Sequence, residues 1–212
     1  MQYKKNKNPH FILMGITLIL ITSGWYGTSL SFLIALVFQN QGLPLEAILL
    51  INFLPLPIGM ISWISFFLDI TLLRYRKKIV LGVTIIYIAI FYIIFLLLLW
   101  YNSDLIAEKL SPVDTSGKNP LLNSFILVYV FLFFITGIKF SLDTMKLDDL
   151  EMRLRGKFLL VAFPSYSIAG LFDSILPNSE LTLILRAILI FSIIDFYFGF
   201  VLPKWIKRRA AH

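Results

Sequence analysis

Asp173, Arg186 and Asp195 each lie inside a long apolar run, and a charge in hydrocarbon is expensive enough to need a stated partner or a function. Asp173 and Arg186 flank the short turn Pro177-Asn178-Ser179-Glu180 at similar distances. Two antiparallel helices joined there hold them at one depth, so the spacing predicts a salt bridge. It has two readings: a staple that neutralises two buried charges, or a substrate-anchoring arginine with its counter-ion. Asp195 cannot share that bridge. It follows Arg186 by nine residues, about two and a half helical turns and about 13 Å, on the opposite face. A mid-membrane carboxyl either pairs with a cation from another helix or keeps its proton. Asp195 is thus the first candidate for a proton- or ligand-linked residue, against a quiet hydrogen bond to a Tyr or Ser. Lys139 is the other intramembrane cation, near enough to a span end to snorkel to water. Asp69 lies close to Arg74 and Arg76, the spacing of an interfacial ion pair.

Trp25 and Tyr26 stand near the middle of the first apolar run, within Thr22-Ser23-Gly24-Trp25-Tyr26-Gly27-Thr28-Ser29. Small residues four apart, Ser23 with Gly27 and Gly27 with Ser31, let a second helix approach closely. Packing is the first explanation of the segment. A cavity lined by Trp25 and Tyr26 is the second, since lipid-facing aromatic rings favour the interface over mid-depth.

The chemistry that is missing is equally informative. The chain has no cysteine, which excludes disulfides, thiolate metal sites and cysteine nucleophiles. Its histidines are His10 and His212, and the latter follows Ala210-Ala211 in what reads as a tag remnant over 210–212. No acidic cluster suits magnesium-dependent headgroup transfer, no histidine is placed for intramembrane hydrolysis, and no glycine-rich loop cradles phosphate. The expectation is a protein that is not an enzyme, with no catalytic residue, no metal and no cofactor.

The elements that must position these residues follow from hydrophobicity. The chain is 58% hydrophobic and 15% charged, against roughly half and a quarter in soluble domains. Its apolar residues fall in blocks of the about 20 residues a hydrocarbon core requires. Six spans are predicted, over 11–38, 47–72, 79–100, 121–142, 158–176 and 182–203. They form one all-α transmembrane domain over 1–212, a multi-pass protein of the cell membrane. The first run is too long for a signal peptide and lacks a cleavage pattern.

Lysine and arginine set the orientation. Lys4, Lys5 and Lys7, then Arg74, Arg76, Lys77 and Lys78, then Lys146, Arg153, Arg155 and Lys157, then Lys204, Lys207, Arg208 and Arg209 fall on one side. Lys109 and Lys118 fall on the other. Both termini are then cytoplasmic, and the net charge of +7 is a rim for anionic lipids, about 1 kcal/mol per residue, not a nucleic-acid surface. Trp100, Tyr101, Tyr75 and Trp205 sit at span ends, where amphipathic rings favour the interface.

The outer connector 102–120 is the longest and reads as an exposed loop. The inner segment 143–157 carries Asp148 and Glu151 at capping-box-like spacing. Its Met145, Leu147, Leu150 and Leu154 would give a short interfacial helix a greasy face. An ordinary connector is favoured there, and a partner-docking site stays open. Asn52, Pro55, Pro57 and Gly59 interrupt the second span, and Pro164, Ser165 and Gly170 the fifth. Interruptions at corresponding places of 3+3 inverted halves point to a transporter-type site.

Through Trp25-Tyr26-Gly27-Thr28-Ser29, Trp63 with Asp69, Arg155-Gly156-Lys157-Phe158-Leu159, Phe172-Asp173, Arg186, Tyr197-Phe198-Gly199-Phe200 and Pro203-Lys204-Trp205, the chain resembles a family of small archaeal polytopic membrane proteins, some of them sensor-like. The resemblance implies no established activity and transfers no catalytic residue. By size and topology the chain is also similar to the substrate-binding components of energy-coupling-factor vitamin transporters, a likeness of fold alone.

Two functions fit. The first is a non-enzymatic module that binds or transports a small molecule or ion, at a polar site among spans one, two, five and six. The alternative is a signalling or scaffolding module that docks a cytoplasmic partner through 143–157 and the basic tail. A homo-oligomer or another membrane partner is compatible with either. Orientation is tested by single cysteines introduced at positions 5, 114 and 207. An impermeant thiol reagent added outside intact cells should modify position 114 and spare the other two, and the reverse pattern inverts the topology.

Overall fold

Apolar runs long enough to cross a bilayer must close their backbone hydrogen bonds internally, and six of them do so as helices. The computed structural model describes residues 9–71, 76–112, 114–176, 180–203 and 205–206, with side chains from Ile12 onward. Lys4, Lys5, Lys7, the His10 side chain, Arg74, Tyr75, Pro177, Asn178, Ser179, Lys204 and the tail from Lys207 to His212 lie outside the described residues.

Span one, Ile12–Phe38, consists of α1 (Pro9–Ile21), a 3-10 turn (Thr22–Trp25) and α2 (Tyr26–Phe38). Span two, Leu45–Ile70, consists of α3 (Leu45–Phe53) and α4 (Leu56–Ile70). The remaining spans are single helices: α5 (Lys77–Tyr101), α6 (Pro120–Met145), α7 (Leu150–Ile175) and α8 (Leu181–Val201). The chain is therefore a six-span membrane protein. It divides into two compact units at Phe125/Ile126, within α6.

The interruptions fall differently from expectation. Span two is broken at Leu54-Pro55, where two prolines two apart remove the donors that the carbonyls of Ile51 and Phe53 would have met. Span five is one continuous helix with Pro164 inside it. A single proline removes only one donor, the one that Leu160 O would have met, and the helix runs through it without a break. Span one carries a 3-10 turn that its hydrophobicity does not announce.

The connector between α6 and α7 holds no separate interfacial helix. The helix begins at Leu150 because Asp149, rather than Asp148, caps it and accepts from Glu151 N at 3.0 Å. The long connector 102–119 is more ordered than an exposed loop. After a 3-10 turn at Ser103–Leu105, strands β1 (Ala107–Ser111) and β2 (Asp114–Gly117) pair antiparallel. The Lys118–Glu108 ion pair at 2.8 Å closes the base of this hairpin.

In the first unit α1 packs along α4 where Gly59 removes the obstacle: a Cβ there would lie 3.0 Å from Leu20 Cβ. Trp63 is buried against Phe66 and Phe67, and Phe95 meets both Phe53 and Phe91. In the second unit the rings of Phe133, Phe163, Tyr166 and Phe196 interlock, Phe163 and Phe196 edge-to-face at 4.8 Å. Edge-to-face pairs are favoured by the ring quadrupole. The Phe163 ring seats directly on Gly137, where any side chain would overlap it.

Candidate functional site

The 3-10 turn and the proline break lie opposite each other in the first unit, joined through Asn52. Asn52 is buried. Its side-chain oxygen accepts from Gly27 N at 2.6 Å, and its backbone carbonyl accepts from Ser23 Oγ at 3.0 Å. The approach requires glycine, because a Cβ on Gly27 would lie 2.5 Å from Ile48 O. Ser31, one turn further along α2, accepts from Leu43 N at 3.0 Å. The small-residue stripe thus faces span two and its connector. At the break itself Ile58 N donates to Pro55 O at 3.1 Å instead of to Leu54 O. The released Leu54 carbonyl accepts from the Tyr92 hydroxyl of α5.

Trp25 is half-buried and Tyr26 exposed. The Tyr26 hydroxyl turns back along its own span, donating to Ile19 O at 2.7 Å and meeting Thr22 Oγ1 at 2.6 Å. It thereby satisfies backbone freed by the 3-10 turn, and no cavity is needed to explain it.

In the second unit Arg186 Nε donates to Asp173 Oδ1 at 3.3 Å. The Asp173 side chain is 7% exposed and that of Arg186 36%, so the carboxylate is the buried member of the pair. Further along, Ser165 Oγ and Ser192 Oγ meet at 2.8 Å across α7 and α8. Asp195 is one turn beyond Ser192 and half-buried. It has no hydrogen-bond or ion-pair partner among the described residues. Every other described Asp or Glu within the helices of the six spans is partnered. Glu46 accepts from Ser103, Asp69 binds Lys77 with both oxygens, Asp143 meets Lys139 and Lys146, and Glu151 meets Arg155. Lys77, next in sequence to Arg76, lies 2.7 Å from Asp69, and Arg74, which sequence proximity also offers as a partner, lies outside the described residues.

No protein-family model, curated protein or solved structure matches this chain. Residue roles therefore come from its own geometry. Among the described residues no three His, Asp or Glu side chains converge as metal ligands. The chemistry available at Asp195 is acceptance of a proton, a cation or a hydrogen-bond donor.

Three residues carry structural weight that the sequence does not assign to them. Asn52 reads there as part of an interruption, whereas it supplies the acceptors that make the interruption stable. Arg155 counts there as rim charge. It donates to Phe200 O at 2.6 Å and to Glu151 Oε1 at 2.7 Å, capping the last turn of α8. Lys109 stands there as an exception to the charge bias. It donates to the carbonyls of Gln41 and Leu43, each at 2.6 Å, and ties the hairpin to the connector between spans one and two. A signal for Asn52 exists: an amide mid-span needs partners, and small residues in the adjacent span offer backbone close enough to supply them.

Replacing Asn52 by leucine keeps the volume and removes the acceptor for Gly27 N. The Asn52→Leu protein should lose about 1–2 kcal/mol of stability in a denaturant or thermal titration in detergent. Ser174→Ala, which deletes an exposed hydroxyl bonded within its own helix to Leu171 O, should change it little.

Proposed function

We propose that this membrane protein binds or transports a small cation or cationic molecule, and that Asp195 on span six is the residue that receives it. One observation supports the reading: Asp195 is the acidic side chain in the spans that finds no partner among the described residues. An unpaired carboxyl far from water is a standing cost, and a cation supplied from outside the chain, a proton included, removes it. The other acids in the helices of the six spans have a structural account, and Asp195 has none among the described residues. A second reading, a signalling or scaffolding module, draws on Leu147 and Leu150, both exposed beside the connector between α6 and α7. It predicts that alterations in that connector abolish association with a partner and leave cation binding untouched.

The cation reading is tested on purified full-length protein by thermal unfolding in lithium, sodium, potassium and a set of small organic ammonium ions. A ligand at about 100 times its Kd stabilises the folded state by about 2.7 kcal/mol. The wild-type midpoint should rise with at least one of them. Asp195→Asn, folded and near-isosteric, should show no rise. A wild-type midpoint indifferent to all of them, or an equal response from the variant, contradicts a cation site at Asp195.

A further inference from the structure

We propose that the exposed face of α7 binds an anionic phospholipid, with its phosphate held by Arg153 and Lys157. This does not depend on any role for Asp195. Arg153 and Lys157 are one helical turn apart, so their side chains share a face, and both are exposed. Neither has a hydrogen-bond or ion-pair partner among the described residues. Of the nearby acids, Glu151 is held by Arg155 at 2.7 Å and Asp149 caps the helix, while Asp148 lies exposed in the connector before the helix. Other cations near span ends are engaged, Lys77 with Asp69, Lys139 and Lys146 with Asp143. Lys78 is also exposed without a partner, but no second unpaired cation adjoins it among the described residues.

The same face continues as apolar surface. Val161, Ile168 and Phe172 follow Lys157 at helical spacing and are 57%, 48% and 46% exposed. The rise from Lys157 to Ile168 is about 16 Å at about 1.5 Å per residue, and one leaflet of hydrocarbon is about 15 Å deep. A phosphate bridging Arg153 and Lys157 therefore lays its acyl chains along Val161 and Ile168 and ends at mid-membrane. Two cations set a turn apart favour a lipid that carries net negative charge. A zwitterionic lipid presents its own ammonium to the same pair and loses that advantage.

The experiment is native mass spectrometry of the full chain in detergent with equimolar phosphatidylglycerol and phosphatidylcholine. The wild type should retain phosphatidylglycerol preferentially. That preference should fall roughly fivefold for each cation removed, in Lys157→Gln and further in the Arg153→Gln/Lys157→Gln double variant. Lys78→Gln should leave it unchanged, and inorganic phosphate at the lipid's concentration should not displace the lipid. The proposal is overturned if wild type holds both lipids equally, or if either glutamine variant keeps the full preference with a wild-type unfolding midpoint. Displacement by inorganic phosphate overturns it too, because the site would then take a free anion.

Discussion

Hydrocarbon offers a backbone carbonyl or amide no hydrogen bond, so each irregularity in a membrane helix must be answered by another part of the protein. Most of the polar architecture in the first unit follows from that constraint. Pro55 and Pro57 break span two, and beside the break Ser23 of span one donates to Asn52 O and Tyr92 of span three donates to Leu54 O, while the Asn52 side chain accepts from Gly27 N of span one. Span one can come close enough only because position 27 has no side chain. The break, the 3-10 turn and the small-residue stripe are therefore one arrangement, in which Ser23 of span one meets backbone of span two and Asn52 of span two meets backbone of span one.

The second unit is built on a different balance. Its centre is aromatic, with Phe133, Phe163 and Phe196 interlocked and Gly137 giving Phe163 its seat. Polar contacts lie around that cluster: the Ser165–Ser192 hydroxyl pair, the Asp173–Arg186 bridge, and Arg155 on the last turn of α8. A packed aromatic centre favours one fixed arrangement of the helices. Asp195 sits beside that fixed core without a partner among the described residues, and this contrast is what gives it a functional reading.

The spans were legible because long apolar runs can close their backbone bonds in water-free surroundings in few ways. Asp173 and Arg186 were readable as a pair because a short turn between antiparallel helices fixes depth from sequence distance alone. Features that depend on which helix lies beside which were not readable. Asn52 looks like a weakness until Gly27 is seen next to it. Pro164 looks like a break, yet one missing donor leaves the helix over 150–175 continuous. The hairpin in 107–117 is hidden because its strands are short and mixed in polarity, with little alternation to betray them. Asp69 points in sequence to nearby arginines, and the helix geometry brings Lys77 to it as well.

Hydrogen–deuterium exchange of the protein in lipid nanodiscs tests the central claim most directly, because it reads whether backbone at the irregular points is shielded. If neighbouring spans satisfy the break in span two, amides over 50–60 should be protected nearly as well as those in the uninterrupted α5, and far better than those of the connector 39–44. Exchange over 50–60 as fast as in that connector would show the break open to water. The mutual satisfaction of spans one and two would then be contradicted.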